Sequence, residues 1–149
     1  MENKAKMRKV ILAAAALLAS AALPAPAQSA ARVPSALLPL SEKDMASTPE
    51  TGCQFLFSQG RNTYVFMIGS DFLMRTEQRL ATCKITDAQF QSLGEGRGVI
   101  ACGGRKLAIR RTGKVQSNPE ADSASGPASL TMTEGTRSRT VRGDWGSAC

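Results

Sequence analysis

The chain has 149 residues, 42% of them hydrophobic and 21% charged, with a formal net charge of +7. It contains no histidine, which excludes Ser-His-Asp and Cys-His catalysis, the HExxH zinc helix, and any histidine metal ligand or pH switch. Aromatic residues are only 5%, so any core is short of large side chains.

Residues 1–27 read as a Sec signal peptide. Lys4, Lys6, Arg8 and Lys9 form the positive n-region, and Val10 to Leu23 is apolar except for Ser20. Pro24 and Pro26 stop a helix, and Ala25-Pro26-Ala27 supplies small residues for cleavage. The apolar run is short for a membrane span. No cysteine stands at the cleavage point for lipid attachment, and no second long apolar segment follows. The expected location is therefore periplasmic or secreted, with no transmembrane segment after signal removal. The remaining chain, roughly 120 residues, is one domain in size. Its net charge falls to about +4, too mild for a dedicated nucleic-acid binder, so nucleic acid is not an expected partner.

Residues 28–51 carry Pro34, Pro39 and Pro49 among Ser, Ala and Leu. Prolines at that spacing interrupt regular structure, and the segment reads as a flexible lead-in. The domain proper is expected over 52–149, in short segments punctuated by glycine, which favours strands. Strands are expected over Cys53–Phe57, Thr63–Ile68, Phe72–Thr76 and Leu80–Lys84. One short helix, Asp87–Leu93, is marked by Thr86 and Gln89 at capping-box spacing, by Ile85 and Phe90 as a hydrophobic staple, and by Gly94 at the position of a terminating glycine. Gly94, Gly96 and Gly98 lack the strand-loop-helix context of a nucleotide loop, so they read as a flexible connection. Val99–Cys102 and Arg105–Thr112 flank Gly103-Gly104, a hairpin signal because both turn residues need positive φ. Residues 117–128 read as a polar surface loop. A last hairpin, Leu130–Glu134 with Ser138–Arg142, turns at Gly135-Thr136. Gly143-Asp144-Trp145-Gly146 reads as turn chemistry, with Trp145 expected to pack over a disulfide.

Cys53, Cys83, Cys102 and Cys149 form an even set in a chain read as exported, which implies disulfides. Four cysteines allow three pairings that sequence alone does not separate. The pairing favoured here is Cys53–Cys149 with Cys83–Cys102, tying the first strand to the closing segment and bracing the strands around the helix. Loop closure of this kind contributes about 3 to 5 kcal/mol per bridge. No close cysteine pair suits zinc, and no C-x-x-C suits redox chemistry. The fold class expected is mainly β: a small antiparallel sandwich or barrel with one short helix and two disulfides.

Basic residues gather late in the chain. Arg105, Lys106 and Arg110 on one expected strand, with Arg137 and Arg139 on another, would form an anion-binding stripe if the two hairpins were neighbours. The carboxylates form no recognisable acid/base pair motif, and no catalytic residue, metal site or cofactor is expected.

Gly52-Cys53-x-Phe55, Ala128-Ser129-Leu130-Thr131 and Val141-x-Gly143-x-Trp145 resemble segments of a class of small exported β-rich proteins of Gram-negative bacteria. That resemblance implies a compact β domain and carries over no catalytic residues. Separately, Ser123-Ala124-Ser125-Gly126 is similar to the SASG loop of MliC-type periplasmic inhibitors of c-type lysozyme. These are disulfide-bonded β-barrels whose loop enters the lysozyme cleft. The likeness implies Ser123 and Ser125 as contacts in an inhibitor loop. The Ala-Arg-Tyr continuation of that family is replaced by Pro127-Ala128-Ser129, and its later Trp-x-Lys-Gly has no counterpart here. The functional expectation is an exported, non-catalytic envelope binding or accessory module with an anionic envelope component as partner. The alternative is an inhibitor whose partner is a lysozyme.

Overall fold

The computed structural model describes residues 36–77 and 79–149. The expected signal peptide and residues 28–35 of the expected lead-in lie outside them. The elements are β1 (Leu37–Leu38), α1 (Glu42–Met45), β2 (Gln54–Gln59), β3 (Asn62–Ile68), β4 (Asp71–Thr76), β5 (Leu80–Lys84), α2 (Asp87–Gly94), β6 (Arg97–Cys102), β7 (Arg105–Arg111), β8 (Gln116–Asn118), a 3-10 turn (Pro119–Ala121), β9 (Ser123–Glu134) and β10 (Arg137–Ala148).

The strands form one antiparallel ten-stranded sheet in the order β1-β4-β3-β2-β10-β9-β7-β6, with β5 on the other edge of β4 and β8 beside β9. The sheet is a rolled half-barrel. Its far ends are β5 and β6, and the Cys83–Cys102 disulfide joins them with Cα atoms 5.7 Å apart. The Cys53–Cys149 disulfide joins the residue before β2 to the residue after β10, with Cα atoms 4.1 Å apart. Both favoured pairings are present. Each links residues that the rolled sheet already brings together, so each restrains the unfolded chain.

The inner face of the roll is the core. Phe55, Phe57, Val65, Met67, Phe72, Met74, Ile100, Leu107, Ile109, Leu130 and Trp145 are buried in one cluster with Ile85 and Leu93. These positions recur every second residue along each strand, as a sheet with one dry face requires. The helix α2 closes the core at the β5–β6 connection. It carries the expected capping box: the Gln89 amide donates to Thr86 Oγ1 at 3.3 Å, and the Thr86 amide donates to Gln89 Oε1 at 3.0 Å. The terminating glycine is Gly96 rather than Gly94. Gly96 has φ +72° and its amide donates to the Leu93 carbonyl at 2.8 Å. A Cβ there would lie 2.6 Å from the Trp145 ring, so the glycine also lets the indole lie flat against the backbone.

Three expectations are corrected. The described part of the lead-in is folded onto the domain. Leu40 is buried, its amide donates to the Thr63 carbonyl at 2.7 Å, and Ser41 caps α1 in a reciprocal bond with Asp44. Pro39 stands between β1 and α1 without freeing either from the domain. The expected loop over 117–128 is mostly strand, with Asp122 (φ 41°) making the return into β9. Residues 143–146 do not turn. They continue β10 through pairs with both β2 and β9. Gly143 is needed for close approach, because a Cβ would lie 2.1 Å from the Ser58 carbonyl oxygen. Trp145 packs on Gly96 in the core.

Candidate functional site

The expected basic stripe does not form as one surface. Register decides which face each residue occupies. Arg105 pairs with Cys102, and Arg137 with Glu134, on the inward side of the roll. Arg105 is only 7% exposed. Its guanidinium donates to the Gly103 carbonyl at 3.1 Å and meets Glu134 at 3.1 Å. Arg105, Glu134 and Arg137 thus close one rim of the roll. Arg139 lies opposite buried Met132 and points toward the same inner side, at the mouth of a cleft. Lys106 and Arg110 are exposed on the outer face. The hairpins of β6–β7 and β9–β10 are neighbours, the condition set for the stripe, but β9 lies between β7 and β10, and alternation along the strands sends these residues to opposite sides.

The outer face holds a different set. In register across β6, β7, β9 and β10 stand Arg97, Arg110, Ser129 and Arg142. The next row is Val99, Ala108, Thr131 and Thr140, and the row after it Ala101, Lys106, Thr133 and Ser138. The hydroxyl pairs Thr131–Thr140 and Thr133–Ser138 are each at 2.8 Å. Such short side-chain contacts belong to the non-hydrogen-bonded positions of an antiparallel ladder. With strands about 4.8 Å apart, Arg97 and Arg110 are direct neighbours, and Arg142 is roughly 10 Å from Arg110. Glu95 meets Arg97 at 2.5 Å, and Asp144 follows Arg142 on the same strand face. Among the described residues Lys106, Arg110 and Arg142 form no salt bridge.

Sequence reading missed Arg97 and Arg142 as members of this row. The signal for Arg97 was present: a two-residue turn at Gly103-Gly104 fixes the register that sets it opposite Arg110. The alignment of Arg110 with Arg142 depends on β7 pairing with β9, which no local feature announces.

The sulfur set is fully paired, and among the described residues no cluster of three potential ligands could hold a metal ion. The carboxylates that approach each other are Glu50 and Asp71, bridged by Lys84, whose Nζ is 2.7 Å from an oxygen of each. Ser70 donates to Glu50 at 3.0 Å, and Thr48 donates to Asp71. The Lys84 ammonium, through its hydrogen bonds, holds both carboxyls below the usual carboxylate range, and the hydroxyl donors add to this. Lys84 is itself held above its ordinary range, chiefly by Asp71. Both acids are charged at neutral pH, an arrangement for an ion pair rather than for proton transfer.

Ser123 and Ser125, expected in an inhibitor loop, lie within β9. Ser123 pairs with Ala148 on one side and Asn118 on the other, and Ser125 with Gly146 and Gln116. The ladder on both edges fixes this segment as strand, so it is not a protruding loop. No helix among the described residues is long and apolar enough to cross a membrane. Comparison with protein-family models, curated proteins and solved structures returns no match to the chain.

Proposed function

We propose that the protein is an exported, non-catalytic binding module that docks an acidic glycan of the cell envelope on the outer face of β6, β7, β9 and β10. The cross-strand row Arg97–Arg110–Ser129–Arg142 carries this reading. Like charges directly opposite in a sheet are destabilising. Glu95 pairs with Arg97, and a bound anion would offset the repulsion left at Arg110 and Arg142, which form no salt bridge among the described residues. Arginine is suited to this because its planar fork donates paired N–H bonds to carboxylate, sulfate or phosphate oxygens. The hydroxyl rows beside it supply donors and acceptors for neutral sugar positions. The face presents Val99 as its large exposed apolar side chain, with no exposed aromatic to enter a bilayer. That favours a glycan over a lipid surface. Two disulfides support an oxidising compartment. The Glu50–Lys84–Asp71 cluster, with both carboxylates held in their charged form by one lysine, supports a non-catalytic role.

The test is binding to dextran sulfate, with uncharged dextran and phosphatidylglycerol vesicles as parallel arms. Dextran sulfate binds, weakening as salt is raised, and the Arg110→Glu/Arg142→Glu variant loses at least tenfold in affinity with an unchanged circular dichroism spectrum. Equal affinity of the variant, or binding that ignores salt, overturns the reading. Preference for vesicles replaces the glycan with a membrane.

A further inference from the structure

We infer that the open edge of β10 at Ser138–Thr140, above the cleft beside it, receives an extended acidic segment of a partner protein as an added strand. This site shares Thr140 and Arg142 with the border of the glycan face, but it is argued from the strand edge and the cleft and does not rest on the glycan reading.

The strand β10 is twelve residues long, but β2 pairs only with Asp144–Ala148. Among the described residues no strand pairs with the other edge of Arg137–Gly143. The direction of the backbone groups there follows from the hairpin. A two-residue turn makes Glu134 and Arg137 a hydrogen-bonded pair, so Arg139 and Val141 also bond to β9, and Ser138, Thr140 and Arg142 direct their amides and carbonyls away from it. Two observations agree. The hydroxyls of Ser138 and Thr140 make the short contacts of non-hydrogen-bonded positions. The Arg142 carbonyl accepts from Gln59 Nε2 at 3.0 Å, on the β2 side. Gln59 marks where the native partner stops and the free edge begins.

Beneath that edge the sheet is split. The register shift between Phe57 and Ser58 leaves Tyr64 as the extra residue of β3, and the bulge turns it toward the core. Leu37, Tyr64, Leu130, Met132 and Val141 give the cleft its apolar lining. The cleft holds about 290 Å³. Pockets for whole small ligands typically run from roughly 300 to 1,000 Å³. This one suits one or two apolar side chains of a segment anchored by its backbone. Strand addition works in this way, with main-chain bonds giving affinity and alternate side chains giving selectivity.

Charge chooses the occupant. Arg139 and Arg142 line the cleft and no carboxylate does. A second copy added edge to edge would set the same arginines against each other, whereas an acidic segment pairs with them. Basic residues also guard edges against aggregation, but a guarded edge needs no apolar cleft beneath it.

The experiment is residue-resolved amide exchange on the full, oxidised protein with three synthetic probes. These are a seven-residue peptide alternating Glu and Val, its N-methylated form, and its Lys counterpart. In the free protein the Ser138 and Thr140 amides exchange at least tenfold faster than those of Arg139 and Val141. The Glu peptide slows Ser138 and Thr140 at least tenfold, and the other two do not. Arg139→Glu, at an exposed position, transfers the preference to the Lys peptide. Protection of Ser138 and Thr140 in the free protein, no slowing at millimolar Glu peptide, or equal slowing by all three probes would overturn the inference.

Discussion

On the outside of β3 and β4, Phe66 and Leu73 are buried under Leu40, with Met45, Ile68 and Leu80 packed around them. On the outside of β6, β7, β9 and β10, the corresponding positions are Arg97, Arg110, Arg142, Lys106 and a field of Ser and Thr, with nothing laid over them among the described residues. One sheet therefore has two kinds of outer surface. Where apolar residues appear on both faces of a strand, as at Phe72, Leu73 and Met74 of β4, a further layer is required. The segment around α1 supplies it. Where the outer residues are charged and hydroxylated, water or a polar ligand suffices. The covered face is part of the packed structure and the bare face is open to solvent.

This contrast can be broken most forcefully at Leu73. Leu73→Ala removes a fully buried side chain from the covered face, and the cavity costs about 3 kcal/mol. Thr131→Ala on the bare face loses one exposed hydroxyl pair and costs under about 1 kcal/mol. Denaturant unfolding of the two variants should separate them clearly, and equal losses would mean that α1 does not cover a core.

A smaller effect is expected where the cover is fastened. The Asp44 carboxylate accepts from Arg75 Nε at 2.9 Å and from the Ser41 amide at 2.8 Å. Hydrogen bonding from Arg75, followed by that from Ser41, holds its carboxyl well below the usual range against the opposing effect of burial. Asp44→Ala should cost about 2 kcal/mol through the lost cap and charged hydrogen bonds. The sign of the pH effect follows. A carboxyl with a depressed folded pKa stabilises the fold fully above its unfolded value, near 4, and that stabilisation disappears as pH falls through the folded value. Wild-type thermal stability should therefore decline below about pH 4, with Asp71 contributing in the same direction. The Asp44→Ala curve should be flatter over that range, and parallel curves would contradict the pairing.

How much of this was legible in the sequence depended on distance along the chain. Thr86 and Gln89 announced α2, and the glycine turns at 103–104 and 135 announced two hairpins, because capping and turn chemistry act within a few residues. The favoured cysteine pairing was also correct, since the pairing of β2 with β10 brings Cys53 to Cys149. Two glycine readings failed for a common reason. Gly94 and Gly143 were read through local conformation, but Gly96 and Gly143 are placed by what lies against them, the Trp145 ring and the Ser58 carbonyl. The lead-in was misread because its prolines outweighed Ser41 and Asp44, whose spacing of three is itself a capping signature. The arginine row was half visible. Arg97 opposite Arg110 follows from a turn, whereas Ser129 and Arg142 join them through the non-local β7–β9 pairing.

The central claim is that the bare arginine and hydroxyl face is the recognition surface. Its most direct measurement is an amide NMR titration of the oxidised protein with a short sulfated dextran. The account predicts shift changes concentrated at Arg97, Arg110, Ser129, Thr131, Thr140 and Arg142, and unchanged resonances at Leu40, Met45, Phe66 and Leu73. Changes centred on the covered face, or spread evenly over every exposed lysine and arginine, would contradict it.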